Sequence, residues 1–184
     1  YYGHLHSSDY INALDVVKDF NYRFISLASY PGLLTDHNVT SEQKWDILNG
    51  SKSSLIFNLL YVREEQQEIV RSHHLWEHHP AFKLLQYKVL PQLKTRCFEA
   101  AAAKTVQLVF RDPWMLAERW FEADTEFVYW EDFDDLRAKI QDISTNYEKY
   151  VPMVERAYEK VQNYSMDKVF EKIKNGAYGE EAND

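Results

Sequence analysis

Apolar positions along the chain switch between a helical period and short continuous runs, which predicts alternating helices and buried strands. Tyr1-Tyr2 reads as the end of a strand closed by Gly3. Ser7 or Ser8 caps a helix reaching about Phe20, with Ile11, Leu14 and Val17 on one face. Residues 22–27 are β-rich, and Pro31-Gly32 opens a loop. Thr40 starts a capping box with Gln43 three residues on; that helix turns Trp45 and Leu48 inward and stops near Gly50. Residues 53–60 are almost continuously apolar, as in a strand covered on both faces of a parallel sheet. Residues 62–90 are mixed, with a helix and then a loop broken by Pro80.

The pattern sharpens downstream. Residues 93–104 form a polar, basic turn followed by a short helix lined with Ala100, Ala101, Ala102 and Ala103. Residues 106–110 are a strand, and Asp112-Pro113 is a cap with a first-turn proline for a helix reaching about Phe121. Residues 126–130 are another strand. Asp132 caps a helix striped by Leu136, Ile140 and Ile143. Amphipathic helices follow near 147–162 and 166–174. The expected fold is therefore α/β: a Rossmann-like parallel sheet with flanking helices and two C-terminal amphipathic helices. Residues 1–145 make the sheet domain, 146–175 the closing helices and 176–184 a frayed tail. Ligands on such sheets bind beyond the carboxyl ends of the strands. That directs attention to the loops after Tyr2, Leu27, Leu60 and Phe110, and to the turn before Glu99.

Composition narrows the function classes. With 184 residues, 45% of them hydrophobic, the chain can build a core and is not globally disordered. A net charge of −8 gives no support to nucleic-acid binding, which calls for clustered cations. The single Cys97 cannot form an internal disulfide, and a reducing, cytoplasmic setting follows most simply. No run approaches the ~20 apolar residues of a membrane helix. The start at Tyr1, without Met, reads as a cut within a longer protein.

Several residues invite chemistry, and each has a plainer role beside it. Glu99 lies three residues after Arg96, so the two either meet a ligand or pair on a helix surface. Lys94 is a phosphate cation or an exposed lysine. His4 and His6 either donate to a phosphate or face solvent. In the run 73–79, His74, Glu77 and His78 match an inverted zinc-peptidase spacing, yet Pro80 follows at once and a third ligand is unassigned; a metal hydrolase is thus a rival, and a polar, aromatic loop the simpler reading. Asp112 is a cap or a ligand contact. The acids Glu131, Asp132, Asp134 and Asp135 suit a helix start better than a metal. Cys97 among alanines is a small core residue.

From Lys94 onward the order of elements resembles the C-terminal half of GT-B glycosyltransferases, within the group-one superfamily and its spore-maturation-type branch. The resemblance rests on Arg96-Cys97-Phe98-Glu99 with Ala100 to Ala103, the strand 106–109 and Arg111-Asp112. It continues through 126–132, Asp135-Leu136, Lys139-Ile140, Ala157-Tyr158 and Asn163-Tyr164-Ser165. It implies one half of a GT-B fold facing a missing N-terminal half of the same protein. It implies a nucleoside-diphosphate sugar as substrate, a hydroxyl acceptor, a retaining reaction and no required metal or other cofactor. Glu99 would bind the ribose hydroxyls. Arg96, with Lys94 and Thr95, would lie by the diphosphate, and Gly3-His4 would admit it closely. Catalytic residues would come largely from the other half. Members often carry glycine where Lys104 stands, basic residues where His4, Leu5 and His6 stand, and a first glutamate where Pro91 stands. The rival from another class is a non-catalytic Rossmann or flavodoxin-like interaction module.

Overall fold

The computed structural model describes residues 8–61, 89–165 and 167–168. Gly3, His4 and His6, the histidine run 73–79 and the helix expected at 166–174 lie outside these residues or mostly so.

The centre is a three-stranded parallel sheet. β3 (Ser53–Ile56) and β7 (Val128–Trp130) flank β6 (Val106–Phe110), with Leu55 opposite Leu108 and Val109 opposite Tyr129. Two small ladders accompany it. β1 (Ile25–Ser26) pairs in parallel with β2 (Asp36–His37), and β4 (Leu59–Tyr61) pairs antiparallel with β5 (Val89–Pro91). The helices are α1 (Ser8–Val17), α2 (Ser41–Asn49), α3 (Arg96–Ala102), α4 (Phe133–Thr145) and α5 (Val151–Val161). Parallel strands covered by helices on both faces make this the Rossmann-like α/β fold the sequence implies.

Strand alternation sorts the core into two layers. Leu55, Val106, Leu108, Phe110, Val128 and Trp130 point to one face, where Tyr10 and Ala13 of α1 and Leu136, Ile140 and Ile143 of α4 cover them. Ile56, Val109 and Tyr129 point to the other, against Cys97, Ala100 and Ala101 of α3 and Ala157 and Val161 of α5. The alanines let α3 lie close on the sheet. Four aromatic rings meet at the first layer. Phe57 stacks edge-on to Tyr10 (4.3 Å) and Trp130 (5.2 Å), and Phe110 lies 4.9 Å from Trp130.

The helix caps are those expected. Thr40 and Gln43 form both halves of a capping box on α2. Asp132 accepts from Asp135 N at 2.8 Å, and Asp135 accepts in return from Glu131 N at 2.9 Å. Lys104, where the resembled family often has glycine, adopts a left-handed backbone at φ 53°. Thr105 N closes that turn on Ala100 O at 3.0 Å.

Some expectations are corrected. The buried stripe of α1 is Tyr10, Ala13 and Leu14, and Ile11 is 40% exposed. The stripe follows helical spacing from Tyr10, which leaves Ile11 about 100° round the axis. On α2 the inward positions are Lys44, Ile47 and Leu48; none is fully buried, and Trp45 is exposed. The apolar run 53–60 is not one strand. It ends at Ile56, and Asn58 turns the chain into β4, its carbonyl accepting from Gln92 N at 2.9 Å. The β-rich stretch 22–27 pairs only at Ile25 and Ser26, and Leu27 is exposed. The strand expected from 126 begins at 128, because Glu126 faces Lys160 and Glu122 N instead. After Asp112 the helical turn is a short 3-10 segment, Leu116–Arg119, rather than a helix to Phe121.

Candidate functional site

Because β3, β6 and β7 run in parallel, the residues following them share one end of the sheet. Asn58 lies beyond β3, Arg111 and Asp112 beyond β6, and Glu131 and Asp132 beyond β7. The turn that precedes α3 returns to the same end. Lys94 N donates to Asn58 Oδ1 at 3.1 Å, and Cys97 Sγ donates to the same oxygen at 3.4 Å. A fully buried asparagine thus ties the start of α3 to the end of β3.

α3 then carries the sequence-predicted residues. Thr95 is exposed at the cap position of α3. Lys94 is half-buried, and its ammonium donates to Gln92 Oε1. Loss of solvent pushes the Lys94 pKa down, and the neighbouring Arg96 charge pushes it further the same way. Arg96 and Glu99 both line a crevice bounded by Arg23, Ile25, Ile47, Leu48, Ser54 and Ile56.

Glu99 does not pair with Arg96 as a local surface couple. Its Oε1 accepts from Lys44 Nζ of α2 at 2.7 Å, with the two side chains 26% and 14% exposed. α2 enters β3 at its amino end, so its first turn, with Lys44, reaches toward the carboxyl end and meets α3 there. The carboxylate is therefore at the rim between two helices, neither in the core nor wholly in solvent. The crevice beneath it measures about 40 Å³. That is room for water and far less than the ~300 Å³ or more of a pocket enclosing a ligand. A nucleotide at Glu99 sits across the rim. A larger cavity of about 760 Å³ lies at the opposite, amino end of the strands, between Phe20, Tyr22, Arg23, Lys52 and Ser144.

Other candidates resolve into structural roles. Asp112 is fully buried and accepts from Trp114 N at 3.0 Å and Leu116 N at 3.3 Å, which is capping chemistry. Burial, with a smaller push from Glu118, raises its pKa to about 6 against those bonds. Burial lifts the Cys97 thiol to about 11, so it is a core residue and no nucleophile. The acids from Glu131 to Asp135 serve the start of α4, with Asp135 also taking Lys139 at 2.7 Å. Among the described residues no group of three or more His, Cys, Asp or Glu side chains is placed to hold a metal ion. No helix there is long and apolar enough to cross a membrane.

Sequence reasoning missed Lys44 and Asn58. Lys44 stands 55 residues from Glu99, so no local spacing links them. The available signal was topological: the helices before and after β3 must both present an end to the same mouth. Asn58 was visible as the one polar residue between Phe57 and Leu59 in an apolar run.

A family model described as glycosyl transferase-like matches residues 36–175, about three quarters of the chain. The search of curated proteins finds none that matches.

Proposed function

Since the chain belongs to the glycosyl transferase-like family, we propose that it binds a nucleoside-diphosphate sugar and serves its transfer to a hydroxyl acceptor. On this reading the chain is the donor-binding half of a GT-B enzyme of the spore-maturation-type branch. An N-terminal half of the same protein faces it and brings the acceptor and most catalytic groups. The reaction is retaining, proceeds without a required metal, and takes place in the cytoplasm.

The observation that carries the proposal is the placing of Glu99. A half-exposed carboxylate stands at the mouth of a parallel sheet, one turn after Lys94 and Arg96. An ionised carboxylate has about four acceptor sites, so it takes both ribose hydroxyls while keeping Lys44. Lys94, Arg96 and Thr95, with the loop at Gly3-His4, meet the diphosphate. Lys94 and Arg96 repel each other in partly dry surroundings, and an anion between them relieves that repulsion. As sugar leaves, the same cations take up the charge that develops on the diphosphate.

Calorimetric titration with UDP and GDP tests this. One site per chain is expected, with Glu99→Gln weakening binding about tenfold, the usual scale for charge-assisted hydrogen bonds. If neither nucleotide binds and Glu99→Gln alters stability alone, the chain is an interaction module without a donor site.

A further inference from the structure

We infer that Lys44 is a positioning residue for donor recognition, acting through Glu99. The inference rests on the reading above, in which Glu99 meets the ribose.

The geometry singles it out. Lys44 is on the inward face of α2, and its side chain is only 14% exposed. It crosses from one helix to another to reach a single carboxylate oxygen at 2.7 Å. Arg96 and Glu99 of α3 and Ile47 and Leu48 of α2 line the same crevice, so the pair bridges its two walls. A glutamate on a helix surface otherwise rotates freely about three side-chain bonds, and fixing it on binding costs affinity. The Lys44 bond fixes Oε1 before the nucleotide arrives. Further acceptor sites of the carboxylate are thereby aimed at one place on the rim. A diol of fixed spacing profits from this, whereas a phosphate does not. Lys44 also adds positive charge, and its loss weakens every anion alike. The signature of positioning is accordingly the discrimination between nucleotides with and without ribose hydroxyls, from which the common charge effect cancels.

The test titrates the chain with whichever of UDP or GDP binds more tightly, and with its 2′,3′-dideoxy counterpart. The unsubstituted chain should prefer the hydroxylated nucleotide about tenfold, as expected for hydrogen bonds to a charged acceptor. Lys44→Gln should cut that preference to about threefold or less, because the carboxylate is still present but no longer held. Lys44→Arg, which keeps a cation in reach of Glu99, should restore most of it. Urea unfolding of each variant confirms that folded chains are compared. A full preference in Lys44→Gln overturns the positioning role and leaves the ribose reading standing. No preference in the unsubstituted chain overturns the ribose reading, and the role of Lys44 with it.

Discussion

Replacing Asp112 by asparagine should remove a defined part of the pH dependence of stability. The side chain is wholly covered and is held by the backbone N–H groups of Trp114 and Leu116. Its pKa stands at about 6 against an ordinary 3.8, with burial the main cause. The native state therefore holds this proton more tightly than the unfolded chain does, and acidification stabilises the fold. The contribution is complete below 3.8 and is lost as pH rises through about 6. Over the whole interval it amounts to about 3 kcal/mol. Between about pH 7 and pH 5 it amounts to about 1.3 kcal/mol. Asparagine keeps an oxygen for Trp114 N and carries no proton to titrate. Whatever the variant's stability at neutral pH, its advantage over the unsubstituted chain should shrink by about 1.3 kcal/mol on going to about pH 5. Urea unfolding followed by tryptophan fluorescence, at matched ionic strength, measures both chains; the five tryptophans provide the signal. Working with the difference cancels other titrating groups, such as Asp142, whose pKa is lowered by hydrogen bonds from Tyr150, Asn146 and Lys149. Parallel stability curves for the two chains over this range refute the assignment of a raised pKa to Asp112.

Two further outcomes concern the core. Leu136→Ala removes a fully buried side chain between α4 and the sheet, and should cost about 2–5 kcal/mol in urea unfolding. Cys97 should resist thiol reagents at pH 8 and react only as urea unfolds the chain, since it is buried with a pKa of about 11; rapid labelling of the native chain would contradict its place in the layer beneath α3.

What could be read from the sequence was local. Caps are short-range chemistry, so Thr40-Gln43 and Asp132-Asp135 marked their helices correctly. Small residues announce close packing, so the alanines and Cys97 of α3 fell against the sheet as expected. Lys104 shows the same logic from the other side: the turn needs a left-handed residue, and here a lysine takes the place that glycine often fills. Errors arose where one residue's neighbours lie far along the chain. Whether Ile11 or Tyr10 faces inward depends on α4 and the strand end at Phe57, not on α1 alone. The apolar run 53–60 was cut by Asn58, whose partners at Gln92, Lys94 and Cys97 come more than thirty residues later. Of the candidate site, Glu99 and its cations were visible as a motif, while the pairing with Lys44 required knowing which helix ends share the mouth.

The two walls of the crevice differ in how firmly they are seated. α3 buries Cys97, Ala100 and Ala101, and its entry is pinned to Asn58, whose neighbour Phe57 is wedged among Tyr10, Phe110 and Trp130. α2 has no buried residue at all. Widening the rim by displacing α3 would unstack the aromatic heart of the domain, whereas shifting α2 disturbs only shallow contacts and a single ion pair. The chain thus holds its acid on an anvil and leaves compliance to the opposite side, so that accommodation of anything bulky is borne by the segment carrying Lys44.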